Sequence, residues 1–227
     1  MHIAKYIHSC LLFTHEGEKL LFDPGVYTFI EGRVTPETFR DVTTVVITHT
    51  HADHLDLAAL KQILALSGAR VIGNGEVAAT LQEHGIEVTV VEEGPLTAGA
   101  FSLVAIPTPH EPILAPTVPH HTAFLVNERV LNCADSFAAP LLPYAGVEVL
   151  VLPVMAPFLT EVGVFDFVRR MHPPHVIPVH DGYAKPFFIA QRYENYGTQL
   201  AAIDVTFHIF ASRTVWPRAV AGRGTHH

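Results

Sequence analysis

The chain has 227 residues, of which 49% are hydrophobic and 16% charged, enough to bury a sizeable core and too apolar for a disordered segment. A formal net charge of -8 with only 14 Lys+Arg repels polyphosphate backbones, so nucleic acid is excluded as an expected partner. The two cysteines, Cys10 and Cys133, have no metal or redox spacing. With no signal peptide or membrane span apparent, a reduced cytoplasmic compartment is expected.

In chain order, "HIAKYI" and "CLLFT" read as strands, and "HEGEK" as the turn into a third strand, "LLF", which ends at Asp23-Pro24-Gly25. "TTVVIT" is a β-branched run typical of a buried strand, and "LDLAALKQILALSG" an amphipathic helix stopped by Gly68. "ARVIG", "GEVAATLQEHG" and "IEVTVV" continue as strand, helix and strand. "AFSLVAI" is a strand that enters the Pro-rich loop "PTPHEPILAPTVPHH". "TAFLV" and "VLNCA" form a hairpin across "NER". "VEVLVL" is a strand, "EVGVFDFVRRMH" a helix, "HVIPV" a strand and "PFFIAQRYENYG" a helix closed by Gly197. "DVTFHIF" is the last strand. No linker divides the chain, so residues 1–227 are expected to form one domain of two packed halves around a shared core. His226 and His227 read as a tail, and His15, His84, His172 and His208 as ordinary surface or packed residues.

The polar residues at strand ends carry the chemistry. Between residues 45 and 56 the chain reads "VVITHTHADHLD", which places His49, His51, Asp53 and His54 just past a strand. Asp23, His110, Asp135 and His180 each follow another strand. Residues two apart in an extended loop point the same way, so His49 and His51 can grip one ion. Asp53 and His54, on the turn into the helix, can face a second. Imidazole with carboxylate suits zinc, iron or manganese, and the absence of nearby cysteine argues against a structural thiolate site. Asp135 can bridge two ions, and the hairpin can bring it beside His110 or His121.

"THTHADH" resembles the H-x-H-x-D-H signature of the metallo-β-lactamase superfamily. "LLFDPG", "PTPH", "NCADS" and "VIPVH" resemble that family's other motifs in the family's order. The pattern is most similar to its small branch of ascorbate-6-phosphate lactonase-like proteins. The resemblance implies a four-layer αββα sandwich with the metals at one edge of two facing sheets. It assigns one ion to His49, His51 and His110 and the other to Asp53, His54 and His180, with Asp135 bridging. The third-motif histidine is His110 in preference to His120 or His121. Asp23 matches a residue that orients a ligand histidine without touching the ion. His8, His120, His121 and Lys185 are candidates for substrate contact.

The expected function is hydrolysis of a small ester, lactone or amide by hydroxide shared between two divalent ions, zinc by preference, with manganese, iron or nickel as alternatives. Asp53 and Asp23 are the catalytic carboxylates of this reading, Asp53 also aiming the hydroxide. The partner is a small molecule, and a homo-oligomer is compatible with it. A phosphodiesterase or nuclease is the alternative; a di-iron redox protein fits less well, because Ala52 and His54 depart from the H-x-E-x-D pattern of that branch. The loop from Pro107 to His121 has five prolines before its final histidines and no Lys or Arg, with Ile113, Leu114 and Val118 as apolar members. An apolar wall favours neutral acyl groups over phosphorylated ones. Lys185, Arg33 and Arg40 are the nearby cations.

Overall fold

A computed structural model describes residues 1–209 and the short strand 215–216. Each strand is short and β-branched or aromatic, and each is ended by turn residues. β1 (His2–Lys5), β2 (Leu11–His15), β3 (Glu18–Phe22), β4 (Thr44–Val46), β5 (Arg70–Gly73) and β6 (Val88–Val90) form one sheet. β7 (Gly94–Ala98), β8 (Phe101–Pro109), β9 (His120–Val126), β10 (Val130–Asn132), β11 (Val149–Pro153), β12 (His175–Val179) and β13 (Thr206–Phe207) form the other. β14 (Val215–Trp216) joins the first sheet beside β1. The orders are β14-β1-β2-β3-β4-β5-β6 and β13-β12-β11-β10-β9-β8-β7.

Alternation along the strands makes the layers. Leu20, Phe22 and Val46 pack between the sheets with Phe124, Val149 and Val151. Their neighbours Leu21 and Val45 face the other way, onto Leu60, Ile63, Val77 and Leu81. Those four belong to α2 (Leu57–Ser67) and α3 (Gly75–Gln82), which follow the short α1 (Val26–Phe29). On the second sheet, Leu150 and Leu152 turn outward onto Val164, Phe167, Tyr196 and Leu200. These come from α4 (Glu161–Met171) and α5 (Pro186–Ala201). The result is the expected αββα sandwich. Both sheets are apolar on both faces because both faces are covered.

Capping sets the helix ends. The side chains of Asp56, Asn74 and Thr160 accept backbone N–H bonds at the starts of α2, α3 and α4, and Gly68 ends α2 at φ 67°. No helix among the described residues is long and apolar enough to cross a membrane.

Three expectations change. β7 is a strand the sequence did not announce: in "GPLTA" only Ala98 is buried, so no apolar run marks it. β8 extends through Pro107 and Pro109, which had been placed in a loop. Beyond Ala105 only β9 pairs with β8, so two prolines spaced by two can turn their missing N–H toward the unpaired side. α5 does not stop at Gly197 but runs to Ala201. Tyr196 and Leu200 bury on one face of it, and that burial outweighs the roughly 1 kcal/mol helix cost of a glycine. The end of "DVTFHIF" at Phe210, and His226 and His227, lie outside the described residues.

Phe124 is fully buried and meets Phe22 between the sheets at a ring-centroid distance of 5.8 Å. Phe124→Ala should cost about 3–5 kcal/mol, read as a lower denaturant midpoint. A loss under about 1 kcal/mol would mean that the space between the sheets can collapse.

Candidate metal centre

The site lies where the strands end, and the backbone there is tightly held. Asp23 follows β3 at φ 46°, and its N–H donates to the Val46 carbonyl at 3.1 Å. The next turn presses on the histidine-rich loop. Val26 N–H donates to the Ala52 carbonyl at 2.9 Å, and Asp56 N–H to the Pro24 carbonyl at 3.1 Å. At Gly25 a Cβ would lie 1.9 Å from the Asp53 carbonyl oxygen, so only glycine permits this approach.

Four imidazoles are oriented in the same way. Asp23 accepts from His54 Nδ1 at 2.9 Å and from the Thr48 amide and hydroxyl at 2.9 and 2.8 Å. The Thr48 hydroxyl lies 3.0 Å from His49 Nδ1 and, having given its proton to Asp23, accepts there. His110 Nδ1 donates to the Glu111 carbonyl and His180 Nδ1 to the Met155 carbonyl, each at 2.6 Å. Every Nδ1 thus carries a proton, which leaves the lone pair on Nε2.

Those Nε2 atoms converge on one carboxylate. Asp135 Oδ2 lies 3.8 Å from His49 Nε2, 3.4 Å from His54 and His110, and 3.3 Å from His180. All four nitrogens and Asp135 Oδ1 are buried without a hydrogen-bond partner. His51 is half-buried, its ring 4.9 Å from that of His49 and 4.7 Å from that of His110. Two groups result: His49, His51, His110 and Asp135, and His8, Asp53, His54 and His180, the ligand-type atoms within each lying within 4.8 Å of one another. Lone pairs and carboxylate oxygens collected this closely repel unless a cation lies among them. The donor set fits divalent ions that prefer imidazole with carboxylate.

The protonation balance agrees. Burial opposes charge on His180, yet Asp135 and Asp53 push it up to about 9, and Asp135 and Asp23 likewise raise buried His54. Burial, with His54 beside it, holds His49 well below the ordinary value. Burial also works against a charged Asp53, but His180, 3.2 Å away, and the hydrogen bond from His8 keep its carboxyl far below the carboxylate range. The His54 and His180 rings are thus biased toward the charged form in the absence of a metal, and an ion taking their Nε2 atoms would displace protons.

The other sequence candidates do not offer free lone pairs to that cluster. His121 is buried and saturated: Nδ1 faces the Thr108 hydroxyl at 2.7 Å, and Nε2 accepts the Asp135 amide at 2.9 Å. It braces Asp135 while His110 enters the donor group. His120 is exposed; its backbone is held by Glu76 and Asn74, and its side chain borders a separate groove with Val118. Lys185 is exposed at the start of α5 and does not line the cleft over the donors. Arg33 pairs with Glu31. His8 is fully buried with both ring nitrogens engaged inside the protein. Cys133 is a buried strand-end residue whose thiol burial pushes far up, unlike a nucleophile.

Sequence reasoning missed Pro157 and Phe158, which line the cleft from the loop after β11. The Phe158 ring lies 5.5 Å from that of His110 and 5.8 Å from that of His180. The one signal was position, since "MAPFL" follows a strand ending on the same rim. Also missed was a buried ion pair in which Lys5 Nζ meets Asp181 at 2.8 Å and Tyr193 donates to the same carboxylate.

Two outcomes are expected. Asp23→Ala should weaken metal affinity by roughly 10- to 100-fold, measured against a competing chelator, because His54 loses its orienting acceptor. The metal-free protein should lose stability on both sides of an optimum. Burial holds His121 down at about 3, so stability falls as pH drops from 6.5 toward 3, where only the unfolded chain takes the proton. His180, raised to about 9, contributes stability below 6.5 that is lost as pH rises through 9. Denaturant midpoints across pH check both limbs; a flat profile would contradict them.

Residues 2–180 match the family described as the β-lactamase superfamily domain. Among curated proteins, the chain is 29% identical over 194 residues to protein Rv0786c of Mycobacterium tuberculosis, covering 82% of this chain and 86% of that protein. It is 23% identical to a metal-dependent hydrolase of Pyrococcus abyssi, covering 78% and 83%. Among solved structures, Igni18, a metallo hydrolase of the archaeon Ignicoccus hospitalis, superposes with a TM-score of 0.72 at 17% identity, covering 96% of this chain and 99% of that one. The family match takes in most of the chain, and the protein belongs to the β-lactamase superfamily, with the metallo-β-lactamase fold.

Proposed function

We propose that the protein is a metal-dependent hydrolase of a small, neutral ester, lactone or amide, with two divalent ions held at the rim. Zinc is the preferred ion, with manganese, iron and nickel as alternatives. One observation carries this reading: four buried Nε2 lone pairs surround the Asp135 carboxylate with no hydrogen-bond partner. The names of the Pyrococcus abyssi relative and of Igni18 support the reaction class. His49, His51 and His110 would hold one ion, Asp53, His54 and His180 the other, and Asp135 would lie between them.

When bound, such ions acidify water toward neutral pH and polarise the attacked oxygen. The chain's own residues do the rest. Asp53, ionised and facing the cleft, accepts a hydrogen bond from the attacking water and aims it. Asp23, through His54, keeps one donor pointed inward. Ile113, Pro157 and Phe158 form the apolar wall of an open cleft of about 280 Å³, against which an acyl or aryl group would pack. Leu114, placed on that wall by sequence, points fully into solvent, and Val118 borders the neighbouring groove instead.

The cleft lining contains no Lys or Arg. A phosphorylated lactone, the substrate implied by the resembling branch, would find no Arg or Lys there for a phosphate held away from the ions. A phosphodiester, whose scissile phosphate two ions could themselves clamp, is the alternative substrate class.

Protein prepared without chelator should carry up to two transition-metal ions per chain by elemental analysis. His51→Ala and Asp135→Ala should abolish hydrolysis and empty or scramble the site. In a matched panel assayed with zinc and with manganese, neutral lactones or aryl esters should turn over faster than their phosphorylated counterparts, with bis-aryl phosphodiesters slower still. Strong preference for the phosphorylated member, lost in Lys185→Ala, would overturn the substrate reading.

A further inference from the structure

His8 lies within one of the two donor groups, yet its hydrogen bonds set it apart from the other imidazoles there. Its Nδ1 accepts the Gly182 backbone N–H at 3.0 Å. A neutral imidazole accepting at Nδ1 carries its proton on Nε2, and that atom lies 3.1 Å from Asp53 Oδ2. The reverse tautomer would set two N–H groups against each other at Gly182. His8 therefore has no lone pair to offer an ion. With no exposed surface it has no atom to offer a substrate either.

Several independent features hold His8 in this pose. His8 sits at φ 62° and His180 at φ 69°, left-handed conformations that are costly outside glycine and persist where the surroundings fix them. The His180 amide donates to the His8 carbonyl at 3.2 Å, and the two rings lie 4.1 Å apart. A Cβ on Gly182 would come within 2.8 Å of His8 Cβ and 2.9 Å of Tyr27 Cβ, so glycine alone lets this amide reach His8. Between His180 and Gly182, the Asp181 carboxylate is anchored by Lys5 and Tyr193. An ion pair this buried gains little net stability, and its contacts tie the loop to β1 and α5.

We infer that His8 is a positioning residue: its Nε2–H donates to Asp53 and holds that carboxylate oxygen toward the His54 and His180 nitrogens, while its backbone carbonyl holds His180. The inference rests on the metal-binding reading of the rim. It assigns a cost to losing His8 at the Asp53–His54–His180 group alone, leaving the His49–His51–His110 group unaffected.

The test uses the zinc-loaded, full-length protein labelled with ¹⁵N. Long-range ¹H–¹⁵N imidazole spectra should show His8 protonated at Nε2 and bare at Nδ1; zinc on His8 Nε2 would overturn the inference, whatever any variant does. Competition titration with a chromophoric chelator then compares two substitutions. His8→Ala should weaken one of two zinc ions by about 10- to 100-fold and leave the other unchanged. His8→Gln, which can place an amide N–H near the Nε2 position, should recover most of the loss. Wild-type protein that takes up no zinc removes the metal reading and this inference with it. Two tightly held zinc ions in wild type and an equal pair in His8→Ala remove the positioning role alone.

Discussion

Four imidazole lone pairs and two carboxylates are collected in a space where they repel one another, and much of the surrounding structure serves to keep them there. Each Nδ1 is tied to a backbone or hydroxyl oxygen or to a buried carboxylate, so no ring can turn its lone pair away. Burial removes the water that would otherwise solvate these groups. A divalent ion turns the repulsion into attraction, and protons on His54 and His180 do so partly. Cation binding at this one cluster would therefore be coupled to folding.

The sandwich makes such a cluster affordable by confining it to a rim. Strand faces are filled with Val, Leu, Ile and Phe on both sides, and polar donors emerge only where strands stop. Two close backbone approaches lock the rim together: Gly25 against the Asp53 carbonyl, and Gly182 against His8 and Tyr27. The sheets are also joined directly there, by the Thr122 N–H donating to the Thr48 carbonyl at 3.1 Å and by Asn74 reaching Thr48, His120 and Thr122. Donors from opposite sheets can hold a common geometry because the backbones carrying them cannot slide.

Much of this was legible in the residues. "VVITHTHADHLD" announced a strand, a polar cluster and the start of a helix, and local chemistry determines all three. The apolar runs marked the buried strands, and the polar residue after each marked the rim. The choice between His110 and His121 was not local. What separates the two rings is the β8–β9 register, which pairs Thr108 with His121 and ties that ring into the sheet, while His110 falls one residue past β8 and joins the donor group. β7 was invisible because an edge strand with one buried residue carries no hydrophobic pattern. Phe158 and the Lys5–Asp181 pair depend on chain segments far apart in sequence. His8 was noticed as a histidine, but its bond to Gly182 spans 174 positions, and no spacing rule could supply it.

The central claim is that the convergent lone pairs hold two ions bridged by Asp135. Anomalous diffraction from crystals grown with zinc or manganese measures this directly, because each ion's position is read independently of the protein atoms. Two peaks are expected, one bounded by the Nε2 atoms of His49, His51 and His110, the other by Asp53, His54 and His180, with Asp135 between them and His121 bonded to neither. No peak at the rim, or a single ion that leaves the His54 and His180 nitrogens without a partner, would contradict the account.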